Sequence, residues 1–331
     1  MRRLIIILIM MVLGYFLLTG KTVPFQDLEK PHRLTVDKNR IYIADGATVS
    51  IYSLTDFTLI RKFGKEGDGP QEFKRRITFV DAQTDELFLI SAGKVSYFTK
   101  DGIFKKEFRT LSPEMRLKPL GDGFAGGRMV SENGTLYISI GIYDANLKKI
   151  KELHKQKFEV QLGGKGTKIF AHILPFHVSG DFLFIAKGDD FVIDVFDKAG
   201  NKQYTITYDY KRLKVTNADK DRTMDFLKTN PETGPYLEML KPIIFPDYFP
   251  AMQNYYVVDG KVYVFTYKRD EGKSEYFIFE AKGKFLKQSI IPYAFMSPVD
   301  EYPAAIKNGI LYQLIENEET EAWDLHINPI N

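Results

Sequence analysis

Apolar and polar positions along this chain change over in short runs. Residues 77–108, ITFVDAQTDELFLISAGKVSYFTKDGIFKKEF, hold four runs of β-branched and aromatic residues separated by clusters of Asp, Gly, Ser and Lys. Runs of this length, bounded by turn residues, predict a four-stranded antiparallel meander. Alternation is incomplete, because the middle runs approach continuous apolar character, as expected of strands covered on both faces. Asp101-Gly102, Ala199-Gly200 and Lys282-Gly283 mark the last turn of three such units, with Gly supplying the positive φ that tight hairpins need. Thr55-Asp56 and Asp144-Ala145-Asn146 stand at the matching places of the first and third units.

The unit recurs. An aliphatic residue followed by an aromatic, and in five of six cases by a second aliphatic, sits at Ile41-Tyr42-Ile43, Leu87-Phe88-Leu89, Leu136-Tyr137-Ile138, Leu183-Phe184-Ile185, Val262-Tyr263-Val264 and Leu311-Tyr312-Gln313. Successive aromatics are about 46 to 49 residues apart, with a single gap of about 79, and a period in the forties built from short strands predicts propeller blades. The expected fold is therefore all-β, a six-bladed β-propeller of four-stranded antiparallel blades over residues 21–331. Blades are expected near residues 32–64, 77–108, 117–153, 177–208, 251–290 and 302–327. The last shows three strands only, and residues 22–28 are placed to supply its fourth, which would remove an open sheet edge.

The long gap, residues 211–248, lacks the alternation of the blades. Thr216 with Asp219 three residues on forms a capping-box pattern, predicting a helix over NADKDRTMDFLKT that stops before Pro231. GPYLEML predicts a second helical turn, ended by Pro242. Long excursions from a rigid scaffold are where binding residues concentrate, the plain alternative being a flap that only covers apolar edge surface.

The run FGKEGDGPQEF, with Gly64, Gly67, Gly69, Pro70, Glu72 and Phe73, resembles the inter-blade signature of NHL-type, TolB-like and related six-bladed propellers, and LGGKG at residues 162–166 resembles a degenerate second copy. Glycines permit a tight crossover, Pro70 stiffens it, and Phe73 can plug between sheets. FPDYFPAMQNYYVVDGKVYVFTY, residues 245–267, is similar to the approach to the fifth blade in exported bacterial six-bladed propellers. Together the resemblance implies the architecture over about residues 23–327 and implies no catalytic residue.

Composition narrows the function. The 331 residues contain no Cys, which excludes a thiol nucleophile, a lipid-modified N-terminal Cys and Cys-ligated metal. The formal charge of +3 owes two units to Arg2 and Arg3, so the body has no field for holding a polyanion, and nucleic acid is disfavoured as a partner. Met1-Arg2-Arg3, an apolar stretch over residues 4–18 and Thr19-Gly20-Lys21 form the three parts of an export segment over residues 1–20. A removed signal peptide and a retained membrane anchor both fit. Either places the propeller outside the cytoplasm, periplasmic, secreted or tethered to the outer face of the inner membrane, with membrane contact only through this segment.

Chemistry is sparse. Of His32, His154, His172, His177 and His326, only His172 and His177 are close, and a spacing of five suits neither a helical nor a strand face, so no metal pair is expected. Gly121-x-Gly123 with Gly126-Gly127 lies between strands with no following helix and reads as a loop or bulge rather than a phosphate cradle. Trp323 falls on a strand of the last blade and is expected in its core. Six-bladed lactone and ester hydrolases hold a metal with Glu, Asn and Asp from inner strands, whereas the strand starts here read His32-Arg33, Arg75-Arg76, Arg116, His177, Gln253 and Glu301-Tyr302. That ring is basic. Arg33, Arg75, Arg76, Arg116, His177 and Gln253 are thus candidate ligand-binding residues for a small anion or an acidic peptide end at the mouth of a central channel. The reading is a non-catalytic binding module with a protein or peptide partner, no cofactor and no bound metal. The alternative is a metal-dependent hydrolase or lyase at the channel.

Overall fold

The computed structural model describes residues 20–113, 115–158, 166–170 and 176–330. The apolar segment over residues 4–18 and His172 lie outside them. The fold is an all-β six-bladed propeller of four-stranded antiparallel sheets, and the chain divides into two compact units, residues 1–108 with 302–331, and residues 109–301.

The first unit opens with β1 (Lys21–Phe25), followed by the sheet β2 (Pro31–Val36), β3 (Arg40–Asp45), β4 (Thr48–Ser53) and β5 (Leu59–Phe63), then the sheet β6 (Phe79–Asp81), β7 (Leu87–Ser91), β8 (Lys94–Phe98) and β9 (Phe104–Arg109). The second unit holds β10 (Arg116–Leu120), β11 (Gly123–Glu132), β12 (Thr135–Tyr143) and β13 (Lys149–Lys157), a short β14 (Thr167–Lys168), and the sheet β15 (Phe176–Ser179), β16 (Phe182–Ala186), β17 (Val192–Asp197) and β18 (Lys202–Thr207). Helices α1 (Asn217–Thr229) and α2 (Leu237–Leu240) and the short β19 (Ile243–Ile244) precede its last sheet, β20 (Asn254–Val258), β21 (Lys261–Asp270), β22 (Lys273–Glu280) and β23 (Phe285–Pro292). The chain ends in the first unit with β24 (Ala304–Lys307), β25 (Ile310–Asn317) and β26 (Ala322–Pro329), and β1 pairs antiparallel with β26 from Lys21↔Ile327 to Phe25↔Trp323.

Two-sided burial explains the incomplete alternation. Ile41, Tyr42, Ile43 and Ala44 are consecutive on β3 and all are fully buried, as are Leu87, Phe88 and Leu89 on β7. Tyr42 enters the core shared with Phe73, Leu87, Leu89 and Phe98, while Ile41 and Ile43 enter the one containing Phe25, Leu314, Trp323 and Leu325. In the second unit the same role falls to a cluster around Ile140, Ile142, Phe176 and Leu183 and another around Phe191, Ile193, Tyr255, Val264 and Phe277.

One repeat is placed differently from the sequence reading. Five of the six aromatics lie on the second strand of a sheet, but Leu136-Tyr137-Ile138 lies on β12, a third strand, where Leu136 is exposed and Tyr137 only half-buried. Phe124 on β11 takes the equivalent place, pairing with Pro119 of the first strand as Tyr42 pairs with Thr35. The match failed because β11 continues as Gly126-Gly127. A Cβ on Gly126 would lie 2.7 Å from the Tyr143 ring and one on Gly127 would lie 3.0 Å from the Phe176 ring, so neighbouring aromatics fill the space that a side chain on this strand fills elsewhere.

The crossover at residues 64–73 folds as its residue types suggest. Gly64 has φ +89, Phe73 is fully buried, and the Glu72 carboxylate accepts from the Gly69 N–H at 2.8 Å. Lys94, almost wholly buried, donates to the Gly69 carbonyl at 2.8 Å, tying the loop to β8.

The packing of β1 generates a prediction. Phe25 is buried, its ring 4.3 Å from that of Tyr52, whose hydroxyl donates to Asp27 at 2.9 Å. Phe25→Ala is expected to cost about 3 to 5 kcal/mol in urea unfolding; a loss below about 1 kcal/mol would show that β1 adds nothing to the core of the sheet it joins.

Candidate functional site

The six residues singled out in the sequence fall three to each unit. In the first, Arg33 lies on β2 and its guanidinium donates to two backbone carbonyls, Thr78 at 3.0 Å and His32 at 2.8 Å. His32 sits with its ring nitrogens against the carbonyls of Ile77 and Lys30. Burial lowers its pKa, and the charges of Arg33 and Arg76 lower it further against the pull of those carbonyls. Arg33, His32 and Arg76 therefore converge on the connection between the first two sheets. Arg75 and Arg76 are not at a strand start, since β6 begins at Phe79; Arg75 is exposed in the loop at φ +66, and the Arg76 carbonyl accepts from the Ser91 hydroxyl. The basic pattern placed them correctly in sequence, but the loop between Phe73 and β6 is longer than the apolar run implied.

In the second unit, Arg116 opens β10 and His177 is the second residue of β15. Arg116 and Lys118 are two apart on one strand and share a face. Arg116 makes no hydrogen bond or ion pair among the described residues, and desolvation lowers its pKa. Burial pushes the His177 pKa well below its usual value, and the Lys118 charge adds to this while a backbone hydrogen bond to Tyr255 opposes it. Its ring meets that of Tyr255 edge-on at 4.6 Å, and its Nε2 is buried without a partner. Gln253, just before β20, accepts from Arg269 through its side-chain oxygen.

Arg269 leads into a network that sequence reasoning missed. Its guanidinium lies 4.0 Å over the Phe295 ring and donates to the Thr266 carbonyl, and burial pulls its pKa down to about 10. Tyr293, wholly buried, donates to Glu301 at 2.7 Å and lies 3.0 Å from the Tyr256 hydroxyl, and Asn254 bonds to both Tyr256 and Glu301. Nearby on β22, Glu275 is 3% exposed and accepts from Tyr210 at 3.1 Å, Thr266 at 2.9 Å, Lys268 at 3.0 Å and Gln288 at 2.8 Å. Burial raises its pKa, but these donors outweigh it and hold the carboxyl below the ordinary range. The partners are spread over residues 210–301, so no local spacing could have announced them.

The excursion is a small structure in its own right. Thr216 caps α1 in a reciprocal capping box, its hydroxyl accepting from the Asp219 N–H at 3.2 Å and its own N–H donating to the Asp219 carboxylate at 3.0 Å. A 3-10 turn at Gly234–Tyr236 leads into α2. β19 pairs in parallel with β14, so residues before the fourth sheet join the excursion through contacts that the sequence did not reveal. Phe170, Val215 and Phe249 form its core, with Phe249 stacked on Tyr267 at 4.4 Å, and Arg212 donates to the Phe249 carbonyl at 2.9 Å. Outside this core Tyr236, Met239, Ile244 and Tyr248 are exposed. Gly121 lies in the β10–β11 turn and Gly123 opens β11, and both border an open groove of about 390 Å³ that also touches Tyr143, Asp144 and Lys198. Among the described residues no three His, Asp or Glu side chains converge as metal ligands.

No protein-family model and no curated protein matches the chain. Solved structures do. The chain is similar to a member of the DUF4221 family from Bacteroides vulgatus, with 10% identity, 93% of this chain and 95% of that one covered, and a TM-score of 0.51. That likeness shows the propeller fold. It is also similar, at a TM-score of 0.35 and 11% identity over 90% of this chain and 85% of the other, to BamB from Moraxella catarrhalis.

The histidines generate a pH prediction. His32, His154 and His177 all have pKa values lowered by burial, so near pH 6 the unfolded chain binds protons that the folded one does not. Their contribution to stability is complete above about pH 6.5 and is lost as the pH falls below it, each by up to about 1.4 kcal/mol per pH unit. Thermal unfolding between pH 7.5 and 5.5 should show a falling Tm, with a shallower slope in His177→Phe. A flat wild-type profile would contradict the assignment.

Proposed function

We propose that this protein is a non-catalytic binding module that engages a partner protein or peptide through the excursion at residues 211–248. One observation carries the reading: the segment packs Val215 against Phe170 and Phe249, pairs with residues 167–168 through β14–β19 and is held at the Phe249 carbonyl by Arg212, yet leaves Tyr236, Met239, Ile244 and Tyr248 exposed. A flap that merely covers an edge turns its large apolar side chains inward. A rigid base also lowers the entropy lost on association, and exposed tyrosine and methionine are typical of contact surfaces. In this reading residues 1–20 export the protein or anchor it, so that the module works outside the cytoplasm, and the crossover at residues 64–73 is of the NHL-like kind.

The triple variant Tyr236→Ser, Met239→Ser, Tyr248→Ser should keep its Tm within a few degrees and lose at least about tenfold in cross-linked partner recovered from cells. Equal recovery would reject the excursion as the contact surface. N-terminal sequencing of the mature protein with protease accessibility in spheroplasts tests the location, and a protease-protected cytoplasmic chain would refute it.

A second reading, small-anion binding by the second unit, is favoured by Arg116, a solvent-exposed guanidinium with no acid beside it among the described residues, and by Lys118 on the same strand face. Arg presents a fork that fits carboxylate or phosphate oxygens. Calorimetric titration with phosphate and with succinate should give heat that Arg116→Met abolishes; binding undiminished in that variant would dismiss this reading.

A further inference from the structure

Two hairpins of this protein turn on the same dipeptide. Asn133-Gly134 joins β11 to β12 and Asn308-Gly309 joins β24 to β25, with φ of +48 and +75 in the first turn and +50 and +70 in the second. Asn-Gly is the pair that such two-residue turns favour. Its chemistry is shared as well: the glycine has no side chain to shield its backbone nitrogen, which can reach the neighbouring side-chain amide once the turn relaxes. What differs is how each turn is held. At 133 both residues are exposed, the Asn133 side chain makes no hydrogen bond among the described residues, and a Cβ on Gly134 would meet nothing within 4 Å beyond its chain neighbours. The pair behind it, Glu132 opposite Thr135, is the last of the β11–β12 ladder. At 308 the turn is clamped. Gly309 is buried, its carbonyl accepts from the Ile330 N–H at 2.8 Å, and Ile310 next to it pairs with Pro329 on β26.

We propose that Asn133 is a self-modification site, at which the side-chain amide becomes a carboxylate by way of a cyclic imide, without an enzyme. The Gly134 backbone nitrogen attacks Cγ of Asn133; the new N–Cγ bond forms, the Cγ–Nδ2 bond breaks, and the proton of the attacking nitrogen leaves with ammonia. Water is the co-reactant of the second step and opens the five-membered ring at one of its two carbonyls. Cleavage of the new N–Cγ bond gives aspartate. Cleavage of the original peptide bond gives isoaspartate, whose main chain runs through the former side chain. Neither step is a redox step. Ring closure needs the turn to relax, so its rate follows the fraying of the hairpin tip. Fraying costs little at Asn133, whereas at Asn308 it must also break a buried hydrogen bond to the end of the chain. The product sets a second acid beside Glu132, which already meets Lys155, so negative charge accumulates at this tip with the age of the protein.

The test incubates the whole protein at mildly alkaline pH, folded and in denaturing urea. Peptide mapping by mass spectrometry follows the change from amide to acid at each asparagine, and an isoaspartyl methyltransferase labels the isoaspartate. In the folded protein Asn133 should react within about tenfold of its rate in urea, and Asn308 at least about tenfold more slowly than Asn133. In urea the two should react alike, since only their folded settings distinguish them. Isoelectric focusing of Asn133→Gln should lack the acidic species that the wild type accumulates first. Asn133 intact in the folded protein after the unfolded chain has reacted, or Asn308 reacting as fast as Asn133 in the folded protein, would overturn the proposal. The same early acidic species in Asn133→Gln would assign the change to another residue and overturn it as well.

Discussion

Each sheet of this protein is stable only because both of its faces are covered. That constraint dictates the composition of the middle strands: Ile41-Tyr42-Ile43 and Leu87-Phe88-Leu89 send consecutive side chains to opposite faces, and every one is withdrawn from water. At roughly 1.5 to 3 kcal/mol for each large side chain buried, such pairs of faces supply the main drive to fold, and no single sheet could retain it alone. Outer strands lie at the limit of this coverage, and each of the six carries at least one lysine or arginine, from one on β1, β18 and β23 to four on β13.

The same two-sided burial governs the polar groups that do enter the sheets. Asp194 on β17 and Glu275 on β22 are nearly inaccessible, and each is surrounded by donors, Asp194 by Lys187, Lys202 and Thr205 and Glu275 by Lys268, Gln288, Thr266 and Tyr210. A buried carboxylate persists as an ion only when such donors outweigh desolvation. The lysine heads reach solvent while their carboxylate partners do not, so these networks place charge at the sheet margin without leaving it unpaired inside. The Nε2 atoms of His154 and His177, by contrast, are buried without a partner among the described residues, whereas Arg116 is exposed to solvent.

A rigid array of sheets also explains why the excursion can be long without being loose. Its helix is capped at Thr216, its chain is pinned by a two-residue parallel sheet, and Phe249 and Tyr267 stack beneath it. The entropy of a segment of this length is repaid by these local contacts, which frees its outward side chains for recognition.

The sequence by itself determined the number of blades, their approximate limits, the incomplete last blade, the capped helix and the crossover around Phe73, because these depend on local composition and on a period of about 48 residues. It misplaced the third repeat, since Leu136-Tyr137-Ile138 satisfies the same three-residue pattern on a different strand, and only the packing of Tyr143 and Phe176 against Gly126 and Gly127 distinguishes the two. It named the six candidate residues from their position before strands, and tertiary structure then gave each a different setting: Arg33 spent on backbone carbonyls, Arg75 exposed on a loop, Gln253 holding Arg269. The Arg269, Glu275 and Glu301 networks and the joining of Thr167–Lys168 to the excursion were decided only in three dimensions. Periodicity reports which faces are buried, whereas partners brought together from distant strands depend on how the faces meet.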